Sequence, residues 1–154
     1  MKKFIIIVTI FLGLLRADED IYKLVLDVTT SDIGKFKQSV ISGVAKNKAY
    51  YEGKFKELEV VAVIHGGAYR FFLKDVASSE YKDDKELLKE QNELALRVKS
   101  LSETYNVKFL ICKSGMEKHS IKKEDMYDFV ELTPNAMIGL IDTQNNGFAY
   151  VPVK

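Results

Sequence analysis

The chain has a single cysteine, Cys112, so it can form no internal disulfide and run no CxxC dithiol cycle. Histidine is nearly as scarce. His65 and His119 lie 47 and 7 residues from Cys112, which gives no zinc-ligand spacing. Neither a Walker-type phosphate loop nor GxGxxG occurs, so no cofactor or metal is expected. Charge of one sign is lacking too: 23 basic residues against 22 acidic ones leave no basic footprint for nucleic acid. There are only two prolines, no low-complexity segment and no repeat, while 47% of the residues are hydrophobic. That composition suits one ordered domain with a single core.

The longest apolar run comes first, Phe4 to Leu15, between Lys2-Lys3 and Arg16-Ala17, with Asp18, Glu19 and Asp20 beyond. A basic start, a short apolar run and a small residue form the pattern of a secretory signal peptide. The run falls short of the roughly 20 residues a membrane-spanning helix needs. A leader over residues 1–17 and a mature domain over 18–154 are expected, placing the protein in the periplasm or outside the cell. Leu15 at position −3 fits the cleavage rule poorly, and the alternatives are an uncleaved anchor or a first buried strand. Cleavage would leave 20 basic against 22 acidic residues, a net charge of −2. In an oxidising compartment an unpaired thiol is either sheltered in a core or kept for its reactivity.

Beyond the leader, strand and helix alternate. "YKLVLDVTT" (22–30) reads as a buried strand, followed by a helix whose Ile33, Phe36, Val40 and Val44 share one face. The β-branched run Val60–Ile64 predicts a central strand buried on both sides, ending in His65-Gly66-Gly67. A polar loop over 77–84 leads to a long helix with Leu87, Leu94, Val98 and Leu101 on one stripe. Residues 106–113 form the third strand and Phe129–Leu132 the fourth. A helix from about Asn135 leads to a last strand, "FAYVPV", where Pro152 marks an edge. Strict alternation of this kind predicts a single-domain α/β three-layer sandwich, a five-stranded, mostly parallel sheet with helices on both faces.

Ligands of open parallel sheets gather at the carboxyl ends of the strands. Asp27 to Asp32, His65 to Gly67 and Cys112 to Gly115 all reach that edge. A thiolate is favoured at a helix N-terminus, Ser114 is a candidate cap for the helix that follows, and Lys113 is a nearby cation. His65 leaves a neighbouring strand end and can face Cys112 as an assisting group, or serve as a structural histidine. Gly66-Gly67 permits close backbone approach. His119 reads as solvated surface, and Asp27 and Asp32 as helix caps. Tyr50, Tyr51, Phe71 and Phe72 read as core or subunit-contact residues.

The segments "VIHGGAYRFFLKD", "YNVKFLICKSGMEKHSI" and "FVELTPNAMIGLIDTQNNGFAYV" resemble the DsrE/DsrF-like sulfur-relay family, with the resemblance running from about Tyr22 to Val153. It implies a small parallel α/β sheet, assembly into trimers or hexamers, and a persulfide-carrying cysteine at the position of Cys112. The expected function is then an exported sulfur carrier, a sulfurtransferase-like protein taking sulfane sulfur from a donor and passing it to an acceptor thiol protein or small persulfide. The site would be Cys112, with His65, Gly66, Lys113 and Ser114 assisting or lining the cleft. Two alternatives stand beside it: a non-catalytic oligomeric module binding a small ligand, and a thiol redox sensor.

Overall fold

The computed structural model describes residues 21–154; the expected leader over 1–17 lies outside the described residues. Five strands, β1 (Ile21–Val28), β2 (Glu57–Ile64), β3 (Lys108–Cys112), β4 (Glu131–Thr133) and β5 (Ala149–Val153), form one sheet in the order β4-β3-β2-β1-β5. All four pairings are parallel. The sheet is thus parallel throughout, and the chain's single antiparallel contact among the described residues is the isolated bridge between Leu73 and Met126.

Alternation along the central strands divides the core into two layers. Leu26, Val28, Val60, Ala62, Ile64, Phe109 and Ile111 join one large cluster with Phe36, Val40, Phe72, Leu94 and Val98. Val25, Val61, Val63 and Phe148 form the other, with Leu110, Ala136 and Leu140 against it. The continuous apolar run of β2 follows from this placement, because both of its faces are covered.

On the larger face lies a helical run made of α1 (Ile33–Lys35), a π-helical segment (Phe36–Ser42) and α2 (Gly43–Glu52). Asp32 starts it, accepting a hydrogen bond from the Lys35 amide at 2.6 Å. The expected stripe of Ile33, Phe36, Val40 and Val44 is buried. The same face carries α3 (Lys85–Glu103), capped by Asp84 accepting from the Leu87 amide at 2.9 Å, with Leu87, Leu94, Val98 and Leu101 buried. The opposite face is covered by α5 (Ala136–Asn145), between β4 and β5 in the chain.

Some boundaries differ from the sequence expectation. The apolar residues after Gly66-Gly67 form a 3-10 helix, Gly66–Phe72, rather than an α-helix. Its Ala68, Tyr69, Phe71 and Phe72 are all buried, and the consecutive pair Phe71-Phe72 turns one ring to Phe36 in a stack at 4.2 Å and the other edge-on at 5.9 Å. The fourth strand is only Glu131–Thr133, preceded by the 3-10 turn Lys123–Asp125. Pro152 does lie on an edge strand, where its missing N–H costs no ladder bond.

Candidate functional site

Cys112 ends β3 and is at the same time the N-cap of α4 (Lys113–Lys118), with extended backbone at φ −69° and ψ 105°. The expectation that Ser114 caps this helix is corrected: α4 opens at Lys113, so Ser114 falls inside the first turn and the cap position belongs to the cysteine. Ser114 instead sets its hydroxyl 3.4 Å from the Cys112 sulfur. Its amide donates to the Pro134 carbonyl at 3.2 Å, drawing the start of α4 against the loop that opens α5. The thiol therefore lies beside two helix beginnings, α4 along its own chain and α5 across the β3–β4 pair.

The residue is 6% exposed. Burial pushes its thiol pKa up, but hydrogen bonding from the Ser114 hydroxyl and from the backbone N–H groups of Gly115 and Ala136, with the Tyr69 hydroxyl close by, outweighs burial, and the thiol sits below its ordinary value. Ala136 is the first residue of α5, whose cap Asn135 accepts from the Ile138 amide at 2.9 Å. The cation named from the sequence plays no part in this balance. Lys113 is turned outward to Glu117, 3.9 Å away, with both side chains more than half exposed.

Tyr69 was not foreseen. Its hydroxyl donates to the Cys112 carbonyl at 2.9 Å from a fully buried ring. Burial, aided by hydrogen bonding to Cys112, raises its pKa well above the usual phenol range, so it remains a donor. Gly115 is what admits it: a Cβ there would stand 1.9 Å from the Tyr69 hydroxyl oxygen. No sequence pattern reports this contact, since Tyr69 lies 43 residues away on a different connection.

His65 continues β2 in extended backbone, and its amide donates to the Val28 carbonyl at 3.1 Å. Ile64 pairs with Ile111, so His65 and Cys112 occupy the next rung of adjacent strands. The imidazole, however, is turned toward β1. Its Nε2 lies 2.6 Å from Asp27 Oδ1, and the Tyr150 hydroxyl of β5 donates to Asp27 Oδ2 at 2.6 Å. His65 is not among the polar partners of the sulfur. Asp27, read from the sequence as a cap, is corrected: Asp32 is the cap, and Asp27 is a buried carboxylate joining His65 to Tyr150.

Gly66 takes φ +58°, a left-handed conformation suited to glycine, and turns the chain out of β2. Gly67 then packs so closely on the loop after β1 that a Cβ would stand 2.7 Å from that of Ser31. Together they bring the ends of β1 and β2 together beneath His65. His119 lies apart from the thiol, pairing with Glu80 at 2.8 Å on the surface. Among the described residues no group of acidic, histidine or cysteine side chains is arranged to hold a metal ion.

The DsrE/DsrF-like family matches residues 23–153, every described strand but the first two residues of β1 included. The chain belongs to the DsrE/DsrF-like family. It is 30% identical over 154 residues to an uncharacterized protein of Aquifex aeolicus (strain VF5), an alignment covering 99% of this chain. The chain spans 64% of that relative's length. Among solved structures, protein MTH1491 of Methanobacterium thermoautotrophicum, described as of unknown function, superposes with a TM-score of 0.59. That likeness covers 85% of this chain and 98% of MTH1491 at 19% identity, and shows a DsrE-like fold. The family and the five-stranded parallel α/β sheet expected from the sequence both hold.

Proposed function

We propose that this DsrE-like protein is a sulfur carrier that holds sulfane sulfur as a persulfide on Cys112. The observation that carries the proposal is the thiol itself, held below its ordinary pKa between the start of α4 and the first N–H of α5, with no second cysteine in the chain. A thiolate is the attacking species, and a nearby resolving cysteine would expel the sulfur as a disulfide. The Cys112 thiolate attacks the outer sulfur of a donor R–S–SH; its S–S bond breaks, Cys112–S–SH forms, and RS⁻ leaves to take up a proton. Delivery to an acceptor thiolate reverses these bonds, so no outside oxidant or reductant is consumed. Donor and acceptor are thiol proteins or small persulfides. Mass spectrometry of the protein incubated with a polysulfide or persulfide tests this, and the expected product is one added sulfur that reductant removes.

A second reading, binding of a small ligand, has its own support in a cavity of about 520 Å³ beside α5, lined in part by Leu110, Leu132, Thr133, Pro134, Gly139 and Phe148. Ligand binding that persists in Cys112→Ser, in a protein that takes up no sulfur, would establish that reading instead.

Self-association is part of the proposal. On α5, Met137 is 71%, Ile138 37% and Ile141 47% exposed, on a helix that also buries its inner side. The first turns of this helix are therefore apolar on the outer side as well, and such a surface calls for cover. Further copies of this chain, three or six in the assembly, would supply it. Light scattering at micromolar concentration should report such an oligomer; a strict monomer would contradict it.

The leader-like residues 1–17 support export. N-terminal sequencing of the protein from its native cell should begin near Asp18. Intact Met1 on a cytoplasmic protein would refute export.

A further inference from the structure

Asp27 is 7% exposed, and its carboxylate is satisfied by His65 and Tyr150 rather than by lysine or arginine. Burying a carboxylate is costly, and neither hydrogen bond caps a helix or closes a strand pairing. The three residues come from the β1 end, the residue after β2 and the edge strand β5, so the cluster spans three adjacent strands. It also lies at the same end of the sheet as the thiol. Asp27 and His65 have the alternation of Val25 and Val63, which pack toward α5, while Cys112, at the turn from β3 into α4, packs in the larger cluster and takes a hydrogen bond from the Ala136 amide that opens α5. His65 stands one strand from Cys112 on the same rung, a separation of about 4.8 Å between parallel strands.

Resting on the persulfide reading of Cys112, we infer that His65 is the proton carrier of sulfur transfer, with Asp27 and Tyr150 as the residues that position it. A carboxylate only accepts, so Nε2 carries its proton toward Asp27, and this fixes the tautomer that leaves Nδ1 as the basic nitrogen. Among the described residues Nδ1 has no protein partner, and the side chain is 27% exposed, open to an incoming molecule. Tyr150 holds the second carboxylate oxygen, which keeps Asp27 from rotating away.

The proton accounting gives each group a task. In loading, Cys112 reacts as the thiolate that its own hydrogen bonds favour, its proton already given to solvent; as it attacks R–S–SH, the RS⁻ that leaves takes a proton from Nδ1 of the protonated imidazole, which regains one from solvent. The sum is Cys112–SH plus R–S–SH giving Cys112–S–SH plus R–SH. In delivery, Nδ1 takes the proton of the acceptor thiol, whose thiolate attacks the outer sulfur. The Cys112 thiolate leaves into its own hydrogen bonds and recovers the proton. His65 touches the reacting thiols of the donor and acceptor, while Asp27 and Tyr150 act through it.

The test compares three rates in the full-length protein carrying His65→Ala, Asp27→Asn or Tyr150→Phe. Sulfur loading from glutathione persulfide expels an alkyl thiolate of ordinary basicity, which needs a proton. Loading from thiophenol persulfide expels a far more acidic thiol, and a weaker base leaves unaided. Alkylation by iodoacetamide expels iodide and reports only that the thiol and its fold are intact. General acid–base groups contribute on the order of 100-fold or more, so His65→Ala should slow glutathione persulfide loading by about that factor. Asp27→Asn should slow it about tenfold and Tyr150→Phe less, in keeping with their indirect roles. With thiophenol persulfide the deficits should shrink to within about twofold, and alkylation should stay within about twofold throughout. Equal slowing with both donors would assign the cluster a structural role and overturn the inference, as would undiminished loading in all three variants. A wild-type protein that loads from neither donor would remove the carrier reading, and the inference with it.

Discussion

Cys112→Ser takes up no sulfur from a persulfide donor under conditions in which the wild-type protein gains one sulfur, about 32 Da, at Cys112. The expected effect is complete loss, because a serine hydroxyl neither ionises near neutral pH nor forms a stable oxygen–sulfur counterpart of the persulfide. The substitution is close to isosteric, and the surroundings are already polar on one side, with Ser114, Tyr69 and the Gly115 and Ala136 amides about the sulfur. The fold should survive it. The wild-type comparison has a second arm. With the thiol held below its ordinary pKa, a larger fraction is thiolate at neutral pH than in an unfolded chain, and iodoacetamide should label the folded protein readily. Tryptic mass spectra of both proteins, with and without reductant, check the outcome. Sulfur retained by Cys112→Ser, or a wild-type thiol that accepts none and resists labelling, would end the carrier proposal.

Phe36→Ala is expected to produce the largest loss of stability. The ring is fully buried in the π-helical segment, stacked on Phe71 and edge-on to Phe72. Removing a buried phenylalanine side chain costs about 3–5 kcal/mol, and an aromatic pair contributes about 0.5–1.5 kcal/mol beyond its area. Against a total of about 5–15 kcal/mol for an ordinary domain, the variant should stand at or near the threshold of folding. Its melting temperature should fall on the order of 10–20 °C, as measured by circular dichroism. A loss below about 1 kcal/mol would mean that the rings repack around the gap, and that the stack does not tie the first helical run to the residues after His65.

The fold was legible in the sequence because each central strand announces its burial. Val60 to Ile64 is apolar without interruption, and only a strand covered on both sides has that composition. Strand order was not legible. Alternation along one strand says which residues share a side, but not which strand lies next to it. The contact between Cys112 and Ala136 therefore stayed hidden, although Asn135 had been marked as the start of a helix. The same gap concealed Tyr150, 123 residues from Asp27 and beside it only because β5 pairs with β1. Asp27 was misread for a related reason. Two aspartates flank Thr29, Thr30 and Ser31, either is a sound cap on local chemistry, and the choice between them depends on where the histidine from the next strand arrives.

Every strand of a parallel sheet points the same way, and this separates two ends of the molecule that never meet. Ile21 opens β1 on the rim shared with Glu57, whereas Cys112 stands at the far rim, one rung past the level of Val28. Eight steps of strand divide them, about 26 Å at 3.3 Å per residue. Whatever precedes Ile21 in the chain joins the domain on the side away from the thiol. The rim where the described chain begins and the rim where a sulfur donor would meet Cys112 are separate surfaces, so occupying one leaves the other free.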